Sequence, residues 1–291
     1  MIVSWGEYGG GRYRRGIERL SYAVLGPLEV RREGGVVPFR GRLQRRLLTA
    51  LISAAGRTIT PDRLVELVWG DDPPTTPRQA LKLAVSRLRT QLGVVVPFDG
   101  GGYRLVVDDA QVDRAVFERL LTEARSAAPT QALRLLEGAL SLWRGCPLDD
   151  LADDLTIGAE VSRLEEALAD VVDRRAAALL ALGRYEEAVI ELRAACSSAP
   201  LREHRVELLM LALYHNGSQA DALRAYDAFR ERLVTELGVE PTPRLRSVHV
   251  SVLKQAVPEW SDLSDRNRSA PPRALVGRDP ELDDLLDTVL A

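Results

Sequence analysis

Cysteine is almost missing from this chain of 291 residues. The two that occur, Cys146 and Cys196, make no CxxC pair and no metal spacing, so neither a disulfide framework nor a zinc module is available. Both are expected to be buried, reduced thiols, which places the chain in the cytoplasm. Long apolar runs are missing as well. None approaches the length of about 18 residues that a membrane span needs. The opening MIVSWGEYGGGRYRRG has basic residues but no apolar segment, so it is not a signal peptide. The three histidines, His204, His215 and His249, stand singly, with no metal or nucleophile partner at a useful spacing. The acidic pairs Asp149-Asp150, Glu165-Glu166 and Glu186-Glu187 are not grouped as the carboxylates of a hydrolase would be, and read as solvated faces. No GxxxxGK[ST] phosphate loop occurs anywhere. Nothing here supports an enzyme, and no cofactor is expected for these residues. Lysine is scarce too: only Lys82 and Lys254 occur, and the other 37 basic residues are arginine. That reads as the codon bias of a high-GC genome and has no functional weight.

What is present is a charge that changes sign along the chain. Residues 1–105 hold 17 Arg and Lys against 9 Asp and Glu, a net +8; residues 106–291 hold 22 against 33, a net −11. The length allows about two domains. A basic front half on an acidic rear half points to a nucleic-acid module joined to a domain with another task.

The stretch Thr76–Leu92, TPRQALKLAVSRLRTQL, reads as one helix with two unlike sides. Thr76 suits an N-cap, Pro77 the first helical position, and Gln79 a capping box with Thr76, while Gly93 supplies the stop. At about 100° per residue, Leu81, Val85, Leu88 and Leu92 fall on one stripe. Gln79, Lys82, Ser86 and Arg89 fall on the other, flanked by Arg78 and Arg87. No acidic residue lies between Thr76 and Leu92. An apolar back and a basic or amide-bearing front suit a DNA major groove. A solvated basic face on an ordinary amphipathic helix shows the same pattern.

The flanks give that helix a setting. Residues 1–20 are Gly- and Arg-rich, without period, and read as a flexible basic tail whose Arg12, Arg14, Arg15 and Arg19 would add phosphate attraction. Tyr22–Leu25, Leu28–Arg31 and Val36–Phe39 are short β-type runs divided by Gly26-Pro27 and Gly34-Gly35. Leu43–Ala55 has helical spacing. Thr60-Pro61-Asp62 opens a second helix that runs through Leu64, Leu67, Val68 and Trp69, with Trp69 expected in the core. Gly70–Thr75 is a stiff acidic loop. Val94–Phe98 and Tyr103–Val107 surround Gly100-Gly101-Gly102 as a hairpin. A meander, three helices and a hairpin make a winged helix-turn-helix over residues 21–108, with the third helix in the groove and the hairpin as the wing. Arg104 and the amides of Gly100–Gly102 would meet phosphate; the glycines serve equally as a tight turn and nothing more.

From Val112 onward the periodicity is helical. Asp113–Ala127, Thr130–Trp143 and Val161–Leu182 carry apolar stripes, and a Gly/Pro/Asp-rich loop, Arg144–Asp154, divides the second from the third. LGRYEEAVIEL (182–192) and NGSQADALRAY (216–226) align at an offset of 34 residues, the period of a tetratricopeptide unit. Small Gly and Ala at the aligned positions are expected to let paired helices approach closely. Residues 111–256 therefore read as an all-α, tetratricopeptide-like helical-repeat domain of the kind that binds protein. The fold class is mainly α with a small β part. Pro258–Arg273 reads as a linker, with bounds of 257–273, and 274–291 as a short turn before an amphipathic helix.

Several of these segments resemble one family. LGPLEV (25–30), QRRLLTALISAAGRTIT (44–60), LVELVWGDDPP (64–74), ALKLAVSRLRTQLG (80–93) and GGYRL (101–105) are similar to the OmpR-type winged helix in the form it takes in the Streptomyces antibiotic regulatory protein family. LSLWRG (140–145), AALLALGRYEEAV (177–189), APLREHRVELLMLALYHNG (199–217) and ADALRAYDAFRERLVTELGVEPTPRL (220–245) resemble the bacterial transcriptional activator domain of the same family. One departure is Gly217-Ser218, where the pattern has Gly-Arg. Val276-Gly277-Arg278-Asp279, within ALVGRDPELDDLLDTVL (274–290), resembles the entry to the nucleotide-binding domain of large, AfsR-type members. The resemblance thus implies an N-terminal piece of a longer protein, with ATP belonging only to a C-terminal part beyond these residues. No phospho-acceptor receiver precedes the winged helix, so control by aspartyl phosphorylation has no support.

The resemblance implies an activator that binds direct repeats in double-stranded promoter DNA, as a dimer on that DNA, and controls antibiotic genes. Gln79, Lys82, Ser86 and Arg89 would reach base edges, and Arg78, Arg87 and Arg104 would sit nearer phosphates. Asp71, Asp72 and Thr75, in the loop before the reading helix, would face RNA polymerase and its sigma factor. A second class stays open: a helical-repeat signalling scaffold whose winged helix makes protein contacts.

Overall fold

The computed structural model describes residues 20–33, 35–154 and 157–257. The basic tail with its four arginines, the linker from Pro258 and the segment 274–291 lie outside the described residues. The chain divides into two compact units, Met1–Leu182 and Gly183–Ala291.

The first unit opens with an antiparallel sheet in the order β1 (Leu20–Ala23), β2 (Glu29–Arg32), β3 (Gly35–Val37). Tyr22 pairs with Val30, and Val30 with Val37. Three helices follow, α1 (Arg42–Ser53), α2 (Pro61–Trp69) and α3 (Pro77–Leu92), and then the short hairpin β4 (Phe98–Asp99) and β5 (Gly102–Tyr103). This is the expected winged helix, with the ends of the first three strands moved by one or two residues and the hairpin strands shortened to two residues each. Helix α2 starts as its sequence dictates: the Thr60 hydroxyl accepts the Arg63 N–H and Pro61 fills the first position, where no donor is missed. Trp69 is half-buried against the core.

The boundary expected at residues 108–111 falls inside this first unit. Helices α4 (Asp113–Ala124), α5 (Pro129–Ser141) and α6 (Gly158–Ala181) share one continuous core with the winged helix, in which Leu25, Phe117, Leu151 and Leu164 are all 0% exposed. Polar bonds fasten the same seam. The Asp113 carboxylate, fully buried, accepts the backbone N–H groups of Val24 (2.8 Å) and Leu25 (2.9 Å) and that of Arg114. Burial pushes this carboxyl up to about 6, against the pull of those donors and of Arg144. Arg45 forks onto Asp150 at 2.6 and 2.9 Å, and Asp150 also accepts the Leu28 N–H. Backbone bonds run from Arg144 to Leu25 and from Leu148 to Val24, both 2.8 Å.

The second unit holds α7 (Tyr185–Ser198), α8 (Glu203–His215), α9 (Gln219–Leu237) and α10 (Pro243–Leu253). Helices α7 and α9 begin 34 residues apart, at the sequence repeat. Ala188, Leu192 and Ala222 are 0% exposed and Tyr226 is 6% exposed, so the aligned apolar positions are core. The glycines act differently from expectation. A Cβ at Gly183 or Gly217 would meet nothing within 4 Å, but both residues have left-handed backbone, φ 70° and 79°. They turn the chain between helices, where an L side chain is strained; close helix approach rests on the alanines.

Cys146 is exposed, contrary to the expectation of a buried thiol, because it stands in the Gly145–Pro147 turn rather than on a helix. Partial burial, with Asp149 and Glu165 nearby, pushes its thiol up, which disfavours the reactive thiolate. The histidines have structural settings: His215 stacks on Tyr185 (5.2 Å), His249 on Tyr226 (4.0 Å), and His204 contacts Glu207 (3.3 Å). Among the described residues no His/Cys/Asp/Glu group is arranged to hold a metal ion.

Candidate nucleic-acid interface

Helix α3 is seated by an apolar stripe. Leu81, Ala84, Val85, Leu88 and Leu92 are at most 3% exposed. Its C-terminus is closed by Gly93 in the left-handed conformation (φ 68°) and by Arg32, whose Nη2 donates to the Leu92 carbonyl at 3.2 Å. The expected capping box does not form. Thr76 makes no side-chain cap bond, and the Gln79 N–H donates to the Thr76 carbonyl instead. Thr76 has φ −126° and ψ 71°, outside the extended region from which a hydroxyl reaches the third residue of a helix.

The opposite face carries Gln79, Lys82, Ser86 and Arg87, all exposed. Among the described residues neither Lys82 nor Arg87 forms an ion pair, and no acidic side chain stands on α3. The other two arginines of the predicted set are occupied. Arg78 forks onto Asp62 of α2 at 3.1 and 3.0 Å. This exposed pair is weak in water and can be exchanged for phosphate. Arg89 is turned sideways, and both its Nε (3.0 Å) and Nη2 donate to the Val96 carbonyl at the base of the wing. In this structure Arg89 braces α3 against the wing. Leu83, 53% exposed, stands on the same face, where selection by charge passes over it.

The wing is fixed by its glycines. Gly100 and Gly101 have φ 58° and 82°, the turn geometry that twists with the strands. Gly102 is needed for space: a Cβ there would lie 2.3 Å from the Ile59 carbonyl oxygen. The cause is a backbone bridge in which Tyr103 and Ile59 exchange N–H···O bonds of 2.8 and 2.9 Å. Gly102 is buried in the ladder, which leaves only Gly100 and Gly101 at the tip for phosphate. Phe98 packs edge-on against Tyr103 (5.0 Å) and Arg104 is half-exposed on the wing.

Asp71, Asp72 and Thr75 are exposed in the loop between α2 and α3. Asp71 and Asp72 edge an open cleft of about 790 Å³ whose other lining includes Arg42, Arg46, Glu66 and Asp153. Arg46 is 5% exposed, donates to the Leu67 carbonyl (2.9 Å) and pairs with Asp153, which also takes Arg42 (2.9 Å). The bond from Arg46 holds the Asp153 carboxyl below its ordinary range. Both arginines are thus paired with Asp153, while Asp71 and Asp72 are exposed and form no ion pair among the described residues.

Residues 112–253 match the Bacterial transcriptional activator domain, and residues 41–105 match Transcriptional regulatory protein, C terminal. The chain is 38% identical over 251 residues to Regulatory protein AfsR of Streptomyces coelicolor, an alignment covering 84% of this chain and 25% of that protein. It is 33% identical over 247 residues to Regulatory protein DnrI of Streptomyces peucetius, covering 79% of this chain and 91% of that one. A solved structure, Mycobacterium tuberculosis EmbR in complex with low affinity phosphopeptide, is similar with a TM-score of 0.81 and 31% identity, over 86% of this chain and 69% of that one. The chain thus spans about a quarter of the length of AfsR and most of the length of DnrI.

Proposed function

The chain belongs to the Streptomyces antibiotic regulatory protein family of transcription regulators, and we propose that it activates transcription by binding promoter DNA through α3 and the wing. The observation that carries this is the acid-free outer face of α3, held rigidly by its buried stripe, with Lys82 and Arg87 unpaired by any protein acid among the described residues. Gln79 and Ser86 reach base edges in the major groove, where a Gln amide suits adenine. Lys82, Arg87, Arg104 and Arg78, once it leaves Asp62, meet phosphates. Two copies on adjacent direct repeats make the bound form a dimer. Asp71, Asp72 and Thr75 then face RNA polymerase and its sigma factor from beside the bound groove. The genes under control are those of secondary-metabolite synthesis, and the chain works in the cytoplasm as a regulator, not an enzyme.

The test is a selection of genomic fragments by the purified chain at two salt concentrations. A short direct-repeat motif is expected, with affinity falling steeply in salt as phosphate-bound counterions are released. Binding without a motif, or with a shallow salt dependence, refutes the reading.

A further inference from the structure

An exposed leucine stands near the centre of the outer face of α3. At about 100° per residue, the direction opposite the stripe Leu81, Ala84, Val85, Leu88 and Leu92 falls between Gln79 and Leu83. Leu83 lies within about 25° of that direction, Gln79 and Thr90 within about 20°, and Ser86 and Arg87 within about 65°. Lys82, Arg89 and Arg78 lie about 75–115° away, on the flanks. The side chains behave accordingly. Leu83 is 53% exposed, whereas Arg89 and Arg78 fold back onto Val96 and Asp62. The Thr90 hydroxyl is taken up by its own helix, donating to the Ser86 carbonyl at 3.1 Å. Leu83 has no place in the core, since five other residues of α3 fill that side. A leucine exposed among Gln, Thr, Ser and Arg on that face is best matched by an apolar surface on a partner. Among base edges in the major groove, that surface is the thymine 5-methyl group.

We propose that Leu83 is a specificity-determining residue that packs on a thymine 5-methyl group, beside the base read by Gln79 one helical turn earlier. The inference rests on the reading of α3 as a major-groove helix and adds what that helix selects. Lys82 and Arg87 anchor the helix without sequence preference; Leu83 and Gln79 together select an A·T-containing step. A cytosine at that position offers an N4 donor and no methyl, and so leaves the leucine against a polar edge.

The experiment uses the full chain and its selected site. Each thymine is replaced singly by deoxyuridine, which removes only the methyl group, and binding is read by fluorescence anisotropy for wild type, Leu83→Ala and Leu83→Met. At one position deoxyuridine is expected to weaken wild-type binding about fourfold, the worth of one buried methyl. Leu83→Ala is expected to bind thymine and uracil sites equally, and Leu83→Met to keep part of the difference. Circular dichroism of the variants should match wild type, because the side chain is on the surface. Specific binding with no uracil-sensitive position, or with the same sensitivity in Leu83→Ala, overturns this inference and leaves the DNA-binding reading standing. The same holds if Leu83→Ala dissolves a DNA-free dimer while the uracil effect stays. A wild-type chain that selects no site overturns both.

Discussion

Asp113→Ala tests whether the winged helix and the first three helices after it fold as one body. The carboxylate is 0% exposed and accepts the N–H groups of Val24 and Leu25, themselves 1% and 0% exposed. With the carboxylate gone, those two donors lose their acceptor. Each buried, unpaired N–H costs about 1–3 kcal/mol, so the pair costs roughly 2–6 kcal/mol. The third donor, the Arg114 N–H, stands in the first turn of α4, where helix donors lack an intrahelical partner, and it adds to the loss. A value near 4 kcal/mol lowers the melting midpoint of a unit of this size by about 8–16 °C. The assay is urea and thermal unfolding by circular dichroism at neutral pH, with Asp108→Ala as the comparison. Asp108 also accepts a backbone N–H, that of Ala110 at 2.9 Å, but on an exposed turn. Its loss should cost about 1 kcal/mol, like other exposed caps. If Asp113→Ala costs no more than Asp108→Ala, the seam does not depend on this carboxylate and the reasoning fails.

Other perturbations separate roles that the structure assigns to neighbouring residues. Arg89→Ala removes the brace to Val96, a charged hydrogen bond of about 1.5–3 kcal/mol at most, and should weaken DNA binding by the same factor at every base of the site. A loss confined to one base position in a substitution scan would restore Arg89 as a base reader. Asp71→Lys with Asp72→Lys reverses the outward charge of the α2–α3 loop, and should lower activated transcription in vitro at least fivefold more than it lowers promoter affinity; equal losses would remove the loop from polymerase contact. Burial pushes the Glu207 carboxyl up, but bonds from His204 and from Arg244 (3.0 Å) outweigh it and hold the group below 4.5. Its contribution to the second unit is therefore complete above the unfolded value and is lost as pH falls through the lowered one. Glu207→Gln should flatten the acid limb of the stability curve below that range while costing stability at pH 7; an unchanged acid limb would place the pH sensitivity elsewhere.

Much of the fold is legible because it is periodic. The stripe of α3, the Thr60-Pro61 start of α2 and the 34-residue offset between α7 and α9 follow from local rules acting over a few residues. The seam of the first unit follows from no such rule. Asp113 meets Val24 across 89 positions, Arg45 meets Asp150 across 105, and Asp150 meets Leu28 across 122. An aspartate in a helical stretch carries no local mark that it will end up buried on another segment's amides. The charge split at residue 105 therefore looks like a domain border, while the core continues through it to α6. The exposed Cys146 and the turn-forming Gly183 and Gly217 show a second limit. Residue type predicts an average environment, and the backbone path decides the particular one.

The interface shows the same limit at finer scale, and with more consequence. Choosing side chains by charge selects Arg89 and passes over Leu83. Choosing by angle does the reverse, because the buried stripe fixes which way is outward before any charge is considered. Ala84 widens that stripe on the side away from Lys82 and Arg89, and the opposite pole falls between Gln79 and Leu83. A guanidinium about 95° from the pole is better placed to reach the chain that leaves α3 through Gly93 than to reach into a groove, and Arg89 does reach it, at Val96. The leucine near the pole faces solvent, and on the proposed reading a base edge. On the proposed DNA-binding reading, what the helix selects is set by geometry that the core imposes, and its charges hold the helix at the reading distance.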